Sequence, residues 1–322
     1  MNYKDLGLVN TREMFERALA GGYAVPGYNF NNLEQLQAIM QACAETNSPV
    51  ILQVSAGARK YVGTKTLMKM VEGMLQEFPI TAALHLDHGA DFEICRDCVD
   101  MGFSSVMIDA SDKPFDENVE LSRRVVEYAH KYDVSVEAEL GALAGIEDDK
   151  VGHATHYTNP ADVKKFAELT GVDSLAVSIG TSHGVYKFPS SGGVDGEAGR
   201  GGFNLRFDIL QEIAAALPHF PLVLHGASSV PQNLVDEINK YGGKISGAHG
   251  IPESQLIQAR KMNICKINVD SDARLAFTAG VRKTLIEKPE AFDPRIYLGA
   301  ARDMMKELFK DKNINVMGIP QY

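Results

Sequence analysis

Short apolar or β-branched runs alternate with longer stretches of helical periodicity along the whole chain, the pattern of repeated βα units. The runs cover residues 24–30, 50–55, 80–88, 104–110, 135–141, 174–180, 221–226 and 262–270. Segments with apolar positions at helical spacing follow each of them: 33–45, 64–77, 91–101, 116–132, 160–170, 206–216, 231–240 and 271–286. Eight strands with eight helices predict an α/β protein built as a closed (β/α)8 TIM barrel, with an open doubly wound sheet as the alternative. A length of 322 residues suits one such barrel. The expected organisation is a single domain over 1–322, with mobile active-site loops and a C-terminal helical arm over about 287–322 that includes an amphipathic helix at 296–310. No internal repeat or low-complexity tract interrupts the pattern.

Polar residues collect at one end of these runs. His88, His183 and His225 each stand at a strand end beside a glycine. A lone histidine in that place is ordinarily a satisfied core or surface residue. Three imidazoles from three strand ends can hold a Zn²⁺ with one side left open, as catalysis requires. Ser55, Asp109, Glu139 and the segment 268–270 end other strands. The carboxyl ends of barrel strands are where active sites lie, and polar groups there are costly unless they meet partners or a ligand. Asp87, next to His88, is expected either to orient a ligand or cap the following helix, or to move a proton at a substrate oxygen. Its central place favours proton transfer. Strand alternation puts His85 on the opposite side from His88 unless the strand end bends, so His85 is expected to be structural. His249, in a glycine-rich loop, is expected at the surface or anchoring that loop.

Two connections are long and glycine-rich. One, 141–159, contains Gly145, Glu147-Asp148-Asp149 and Gly152; the other, 187–204, contains Ser190-Ser191-Gly192-Gly193 and Gly199-Arg200-Gly201-Gly202. Structureless loops of that length in a compact domain are usually lids or disordered segments, and their place beside the histidines favours lids. Gly180–Lys187 and His225–Ser229 read as phosphate cradles, in which backbone N–H groups, hydroxyls and Lys187 would meet an anion. Ser271, at a third strand-to-helix junction, fits a helix N-cap and a phosphate donor equally well.

Composition removes other classes. A hydrophobic content of 45% with 23% charged residues belongs to a globular protein with a large core. The formal net charge of −10 argues against nucleic acid or an anionic membrane as partner; it leaves room for a phosphorylated substrate. Met1-Asn2-Tyr3-Lys4-Asp5 starts no apolar leader and no run approaches a membrane span, so the expected location is cytoplasmic. The four cysteines are too few for a disulfide scaffold. Cys95 and Cys98 fall on the apolar stripe of a helix and are expected to be buried.

His85-Leu86-Asp87-His88-Gly89, Glu137-Ala138-Glu139-Leu140-Gly141, Ser182–Lys187, Leu224-His225-Gly226, Gly247-Ala248-His249-Gly250-Ile251-Pro252 and Asn268-Val269-Asp270-Ser271-Asp272-Ala273-Arg274 together resemble the class II, zinc-dependent fructose-1,6-bisphosphate aldolases, of the class IIB kind. The resemblance runs from Tyr28-Asn29-Phe30 to Asp293-Pro294-Arg295. It implies that His88, His183 and His225 hold a catalytic zinc and that Asp109 and Glu139 match a second, non-catalytic metal position. A monovalent cation, Na⁺ or K⁺, would lie near the carbonyls of Ser182, Gly184 and Gly226. Asp87 would exchange the proton of the substrate C4 hydroxyl, and Glu147 that of the zinc-stabilised enediolate. Gly184, Lys187, Gly226, Ser228, Asp270 and Ser271 would grip the dihydroxyacetone-phosphate end, with Asn268 on its hydroxyl and Asn29 and Ser55 also in the substrate-binding set. Arg274, together with Arg295 from a neighbouring subunit, would take the distal phosphate in a homodimer or larger homo-oligomer. The implied reaction is reversible retro-aldol cleavage of fructose 1,6-bisphosphate to dihydroxyacetone phosphate and glyceraldehyde 3-phosphate. Tagatose-1,6-bisphosphate aldolase is the near alternative, disfavoured by Asp270 and Arg274. A zinc hydrolase on the same barrel commonly begins with an H-x-H pair on its first strand, which 24–30 lacks, and a non-catalytic sugar-phosphate sensor would not need Asp87 and Glu147.

Overall fold

The computed structural model describes residues 2–147, 150–152, 155–185 and 204–320. A 3-10 turn (Tyr3–Leu6) leads into α1 (Thr11–Gly21), β1 (Val25–Asn29), α2 (Leu33–Glu45), β2 (Val50–Val54), α3 (Ala56–Val62), α4 (Thr64–Glu77) and β3 (Ala82–Gly89). Next come α5 (Phe92–Met101), β4 (Ser105–Ile108), α6 (Phe115–Ala129), β5 (Ser135–Leu140), the short strands β6 (Gly145–Glu147) and β7 (Lys150–Gly152), α7 (Pro160–Thr170) and β8 (Ser174–Val177). The chain closes with α8 (Phe207–Ala216), β9 (Leu222–Leu224), α9 (Gln232–Lys240), α10 (Glu253–Ala259), β10 (Ile264–Val269), α11 (Ser271–Glu287) and α12 (Pro294–Asp311), then a π-helical turn over Lys312–Val316.

Eight parallel strands close in the order β1-β10-β9-β8-β5-β4-β3-β2. This is the expected (β/α)8 barrel. Each strand is buried on both faces, as parallel strands covered by helices must be. Outward residues such as Tyr28, Leu52, Leu84 and Val136 pack under the helical ring with Leu36, Ile39, Phe103 and Phe166. At the floor, Met14, Phe15 and Ala18 of α1 cover the inward-facing Val25, Ile51, Ala83 and Cys265. Helix starts follow local chemistry: Asn32, Asp91 and Asn159 accept hydrogen bonds from the backbone N–H groups of Gln35, Ile94 and Ala161.

The structure adds to the predicted pattern and shifts some of its boundaries. Helices α1, α3 and α10 lie outside the predicted segments. The helix expected over 116–132 is α only to Ala129 and tightens to 3-10 over His130–Tyr132. The C-terminal helix begins at Pro294, where Asp293 caps it and proline fills the first turn. Within 141–159, β6 and β7 pair antiparallel, where the sequence suggested a structureless loop. Cys95 and Cys98 are buried, as expected.

Candidate active site

Strand β3 carries two of the central groups because its end is bent. Its pairing with β4 slips between Leu86 and Gly89, and His88 has a left-handed backbone (φ 49°), a rare conformation for a non-glycine residue. Asp87 and His88, which a regular strand would send to opposite faces, therefore reach the same mouth. The bend also revises the placing of His85. It faces into the barrel beneath that mouth, with Nδ1 2.8 Å from Ser105 Oγ and Nε2 3.2 Å from Lys266 Nζ. Its role remains structural, within a buried polar layer.

His88, His183 and His225 converge, each offering a nitrogen within 4.8 Å of the others'. His88 Nδ1 lies 2.5 Å from Asp109 Oδ2, and His225 Nε2 lies 2.8 Å from Glu137 Oε1. With those nitrogens donating to carboxylates, His88 Nε2 and His225 Nδ1 present lone pairs to each other at 2.9 Å. Two facing lone pairs at that distance repel unless a cation or a shared proton lies against them, and three convergent imidazoles make a donor set that fits a divalent metal. Carboxylates behind metal-ligating imidazoles hold the ring orientation and raise its basicity. Asp109 and Glu139, with His88, form a second convergent group, and Glu139 Oε2 is 3.5 Å from His225 Nδ1. Asp109 thus serves the first group, whatever it also binds.

Asp87 is buried and held by two amides: Asn29 Nδ2 donates to one carboxylate oxygen at 2.8 Å and Asn268 Nδ2 to the other at 3.3 Å. Gln53 Nε2 in turn donates to Asn29 Oδ1 at 3.0 Å. The ordinary roles for Asp87 fall to other residues, since Asp91 caps α5 and Asp109 orients His88. Ser55 is the N-cap of α3, accepting from Ala58 N at 3.1 Å. Ser271 is not a cap: Asp270 occupies the N-cap position of α11 without a side-chain capping bond. The first turn of α11 therefore keeps backbone N–H groups for an anion.

The two cradle loops touch. A Cβ on Gly226 (φ 58°) would stand 2.5 Å from Ser182 O, so only glycine allows that approach. Gly184 is also left-handed (φ 82°). Ser228 is buried, and Asp270 N donates to its hydroxyl at 3.4 Å. The segment around exposed His249 spans both loops through its backbone, with His249 N donating to Val185 O and Ile251 N to Ser228 O, both at 3.1 Å. Arg274 Nε donates to Asp270 Oδ1 at 2.8 Å, so the two share the rim. Arg295 pairs with Asp293 and extends into solvent.

Strand β6 is anchored at the site. Gly145 bridges to His183, and His183 N donates to Ala144 O at 2.9 Å. A Cβ on Gly145 (φ 109°) would fall 2.4 Å from His183 O. The strand ends at Glu147, whose side chain lies outside the described residues, as does Lys187 with most of 187–204.

Beneath the mouth lies a charged layer that the sequence reading left without a role. Glu137 and Lys266 are fully buried, with Lys266 Nζ 3.0 and 2.9 Å from the two Glu137 oxygens. Burial alone would raise the Glu137 carboxyl, but Lys266, with His225 and His85, holds it well below its ordinary range. Burial lowers His225 to about 4, against the upward pull of Glu137. His85 is lowered well below its usual value by burial and by Lys266. The signal was available in the spacing: Glu137 precedes Glu139, and Lys266 precedes Asn268, by two residues on strands whose alternate positions face inward.

A parallel barrel with an open imidazole trio at its carboxyl mouth defines a metal-dependent enzyme. The family model described as class-II fructose-bisphosphate aldolase matches residues 9–319, and the chain belongs to the class II fructose-bisphosphate aldolase family, a lyase family that uses a divalent metal. It is 56% identical to the fructose-bisphosphate aldolase of Treponema pallidum over 327 residues, covering 98% of each chain. It is 49% identical to that of Giardia intestinalis over 306 residues, 95% of this chain and 91% of the relative. Among solved structures, the YdjI aldolase of Escherichia coli K12 superposes with a TM-score of 0.75 at 28% identity, covering 97% of both chains. No helix among the described residues is long and apolar enough to cross a membrane.

Proposed function

We propose that the mouth of this barrel cleaves fructose 1,6-bisphosphate reversibly to dihydroxyacetone phosphate and glyceraldehyde 3-phosphate, with zinc as the metal held by His88, His183 and His225. The observation that carries the reading is Asp87: a buried carboxylate clamped by two amides, adjacent in sequence to a metal ligand, with no capping or ligand-orienting duty among the described residues. When bound, the ion supplies Lewis-acid polarisation of the substrate ketone. Asp87 accepts the C4 hydroxyl proton as the C3–C4 bond breaks, because its oxygens are fixed by Asn29 and Asn268. Glu147, on the strand anchored to His183, returns a proton to the carbon of the dihydroxyacetone-phosphate half. Gly184, Lys187, Gly226, Ser228, Asp270 and Ser271 grip the dihydroxyacetone-phosphate end, its phosphate supported by the uncapped first turn of α11. Asn268 contacts its hydroxyl, and Ser55 completes the pocket from the start of α3.

Asp109 and Glu139 offer a second position for the metal, and a monovalent cation (Na⁺ or K⁺) fits the carbonyls of the abutting Ser182 and Gly226 loops. The distal phosphate goes to Arg274 and to Arg295 of a neighbouring copy. An exposed Arg295 side chain near the 91%-exposed Phe292 supports an arm used between subunits of a homodimer or larger homo-oligomer. The active unit is then an assembly of single-domain chains over 1–322, acting in the cytoplasm.

The test is a coupled assay with fructose and tagatose bisphosphates, with and without a chelator. Chelator-sensitive turnover that prefers the fructose substrate is expected. Preference for tagatose bisphosphate overturns the substrate, and full turnover of metal-free protein overturns the site.

A further inference from the structure

The π-helical turn that follows α12 places two polar side chains, Lys312 and Asn313, wholly in the interior. Asn313 fixes where the turn sits. It accepts from Tyr28 Oη of β1 at 2.7 Å and donates to Thr46 Oγ1, beyond α2, at 2.9 Å. Lys312 points the other way, with its ammonium 2.8 Å from Asp272 Oδ2, 2.9 Å from Ser229 Oγ and 3.0 Å from Glu253 Oε1. All three of its protons have an acceptor.

Asp272 passes that restraint on. One carboxylate oxygen accepts from Ser229 N at 2.9 Å and Ser229 Oγ at 3.0 Å, and the other from Val230 N at 2.7 Å. Val230 is β-branched yet left-handed (φ 49°), a conformation that persists only where the surroundings impose it. Asp272 also lies in the first turn of α11, directly after Asp270 and Ser271. Burial opposes both charges, yet each group is held in its charged form by the other, Lys312 raised and Asp272 lowered. An ion pair so deep is weak evidence for stability, since apolar residues would fill the same volume; its best-attested use is to select one arrangement of the chain.

We propose that Lys312 is a positioning residue for the phosphate end of the site: its ammonium ties Ser229 to Asp272, setting the turn Gly226–Val230 against the first turn of α11. The inference rests on the reading that Gly226, Ser228, Asp270 and Ser271 hold the dihydroxyacetone-phosphate end of the substrate, with Ser271 on its phosphate. A phosphate cradle works only when N–H groups from both segments aim at one point, and Lys312 fixes the segments relative to each other from outside the cradle. The C-terminal turn thereby acts on affinity while the histidine trio and Asp87 keep their own supports.

The experiment uses the full metal-loaded protein and measures kcat and KM for fructose 1,6-bisphosphate, bound divalent metal, and Tm. Lys312→Met is expected to raise KM tenfold or more, with kcat changed less than threefold and metal content unchanged. Ser229→Ala, which removes one acceptor of the ammonium, should raise KM severalfold, and it decides the matter if Lys312→Met does not fold. Unchanged KM in the folded variant, or equal losses in kcat and metal content, overturns the inference. Ser271→Ala separates the two layers of the argument. If it raises KM while Lys312→Met does not, the positioning role alone fails. If it leaves KM unchanged, the phosphate reading fails and the positioning role falls with it.

Discussion

Glu137→Gln tests how the proposed metal site is held from below. The wild-type carboxylate accepts from His225 Nε2 at 2.8 Å and neutralises Lys266 at 2.9 and 3.0 Å, all without solvent. The amide keeps the shape and one acceptor oxygen but loses the charge. Removing one partner of a buried pair costs about 3–5 kcal/mol, because the other charge is left uncompensated. At the imidazole, a charge-assisted hydrogen bond becomes a neutral one, a loss of about 1 kcal/mol. Loss of a carboxylate behind a metal ligand typically weakens metal binding about 10–100-fold, which corresponds to about 1.4–2.8 kcal/mol. The expected result is a lower Tm in chelator and a divalent-metal affinity reduced by that factor, read by competition with a chromophoric chelator. Glu137→Gln combined with Lys266→Met removes the orphaned charge. It should recover much of the Tm, while metal affinity stays low because His225 still lacks its carboxylate. Wild-type affinity in Glu137→Gln, or full recovery of affinity in the double variant, would refute the reasoning.

Asp87→Ala should abolish cleavage of the bisphosphate while leaving slow exchange of the dihydroxyacetone-phosphate α-proton with solvent, whereas Glu147→Ala should slow that exchange as well; NMR exchange rates equal to wild type in Glu147→Ala would show the wrong base. Mixing Arg295→Ala chains with His183→Ala chains should restore near-normal KM in heterodimers, since one site would combine intact histidines with a wild-type Arg295, and a fully active monomer by light scattering would exclude that arrangement. Asp173 accepts from Arg12 Nε at 2.6 Å, from His130 at 2.9 Å and from Val136 N at 2.7 Å. Burial would raise its carboxyl, but these partners hold it below 3.8. A folded value below the unfolded one adds stability above the unfolded value, and that stability is lost as pH falls through the folded value. Asp173→Asn should therefore lower stability by about 1–3 kcal/mol at neutral pH, with the Tm gap closing below about pH 3.8 and no closing expected between pH 5 and 8.

The barrel was legible because βα alternation is written in hydrophobic periodicity, and the histidine trio because each member follows a strand and precedes a glycine. What escaped has physical reasons. The turn of His88 to the same mouth as Asp87 depends on a slipped pairing with β4, a non-local event. Lys266 reads as a surface residue unless the strand alternation is followed back from Asn268. Lys312 meets Ser229 across 83 residues of sequence, and local periodicity carries no trace of such a contact. The two possible duties of Ser271 separated only when Asp270 proved to hold the cap position.

The anchoring of β6 fixes a lever length. With Gly145 paired to His183, the two residues from that pairing to Glu147 span at most about 7 Å. On the proposed assignment, so short a tether keeps the proton carrier in the neighbourhood of the metal ligand itself. On that assignment its encounter with the substrate carbon follows the placement of His183, and the reach of the carboxylate depends on one glycine. Inserting a single residue after Gly145 would lengthen the arm by about half and, because strand side chains alternate, would turn Glu147 to the other face.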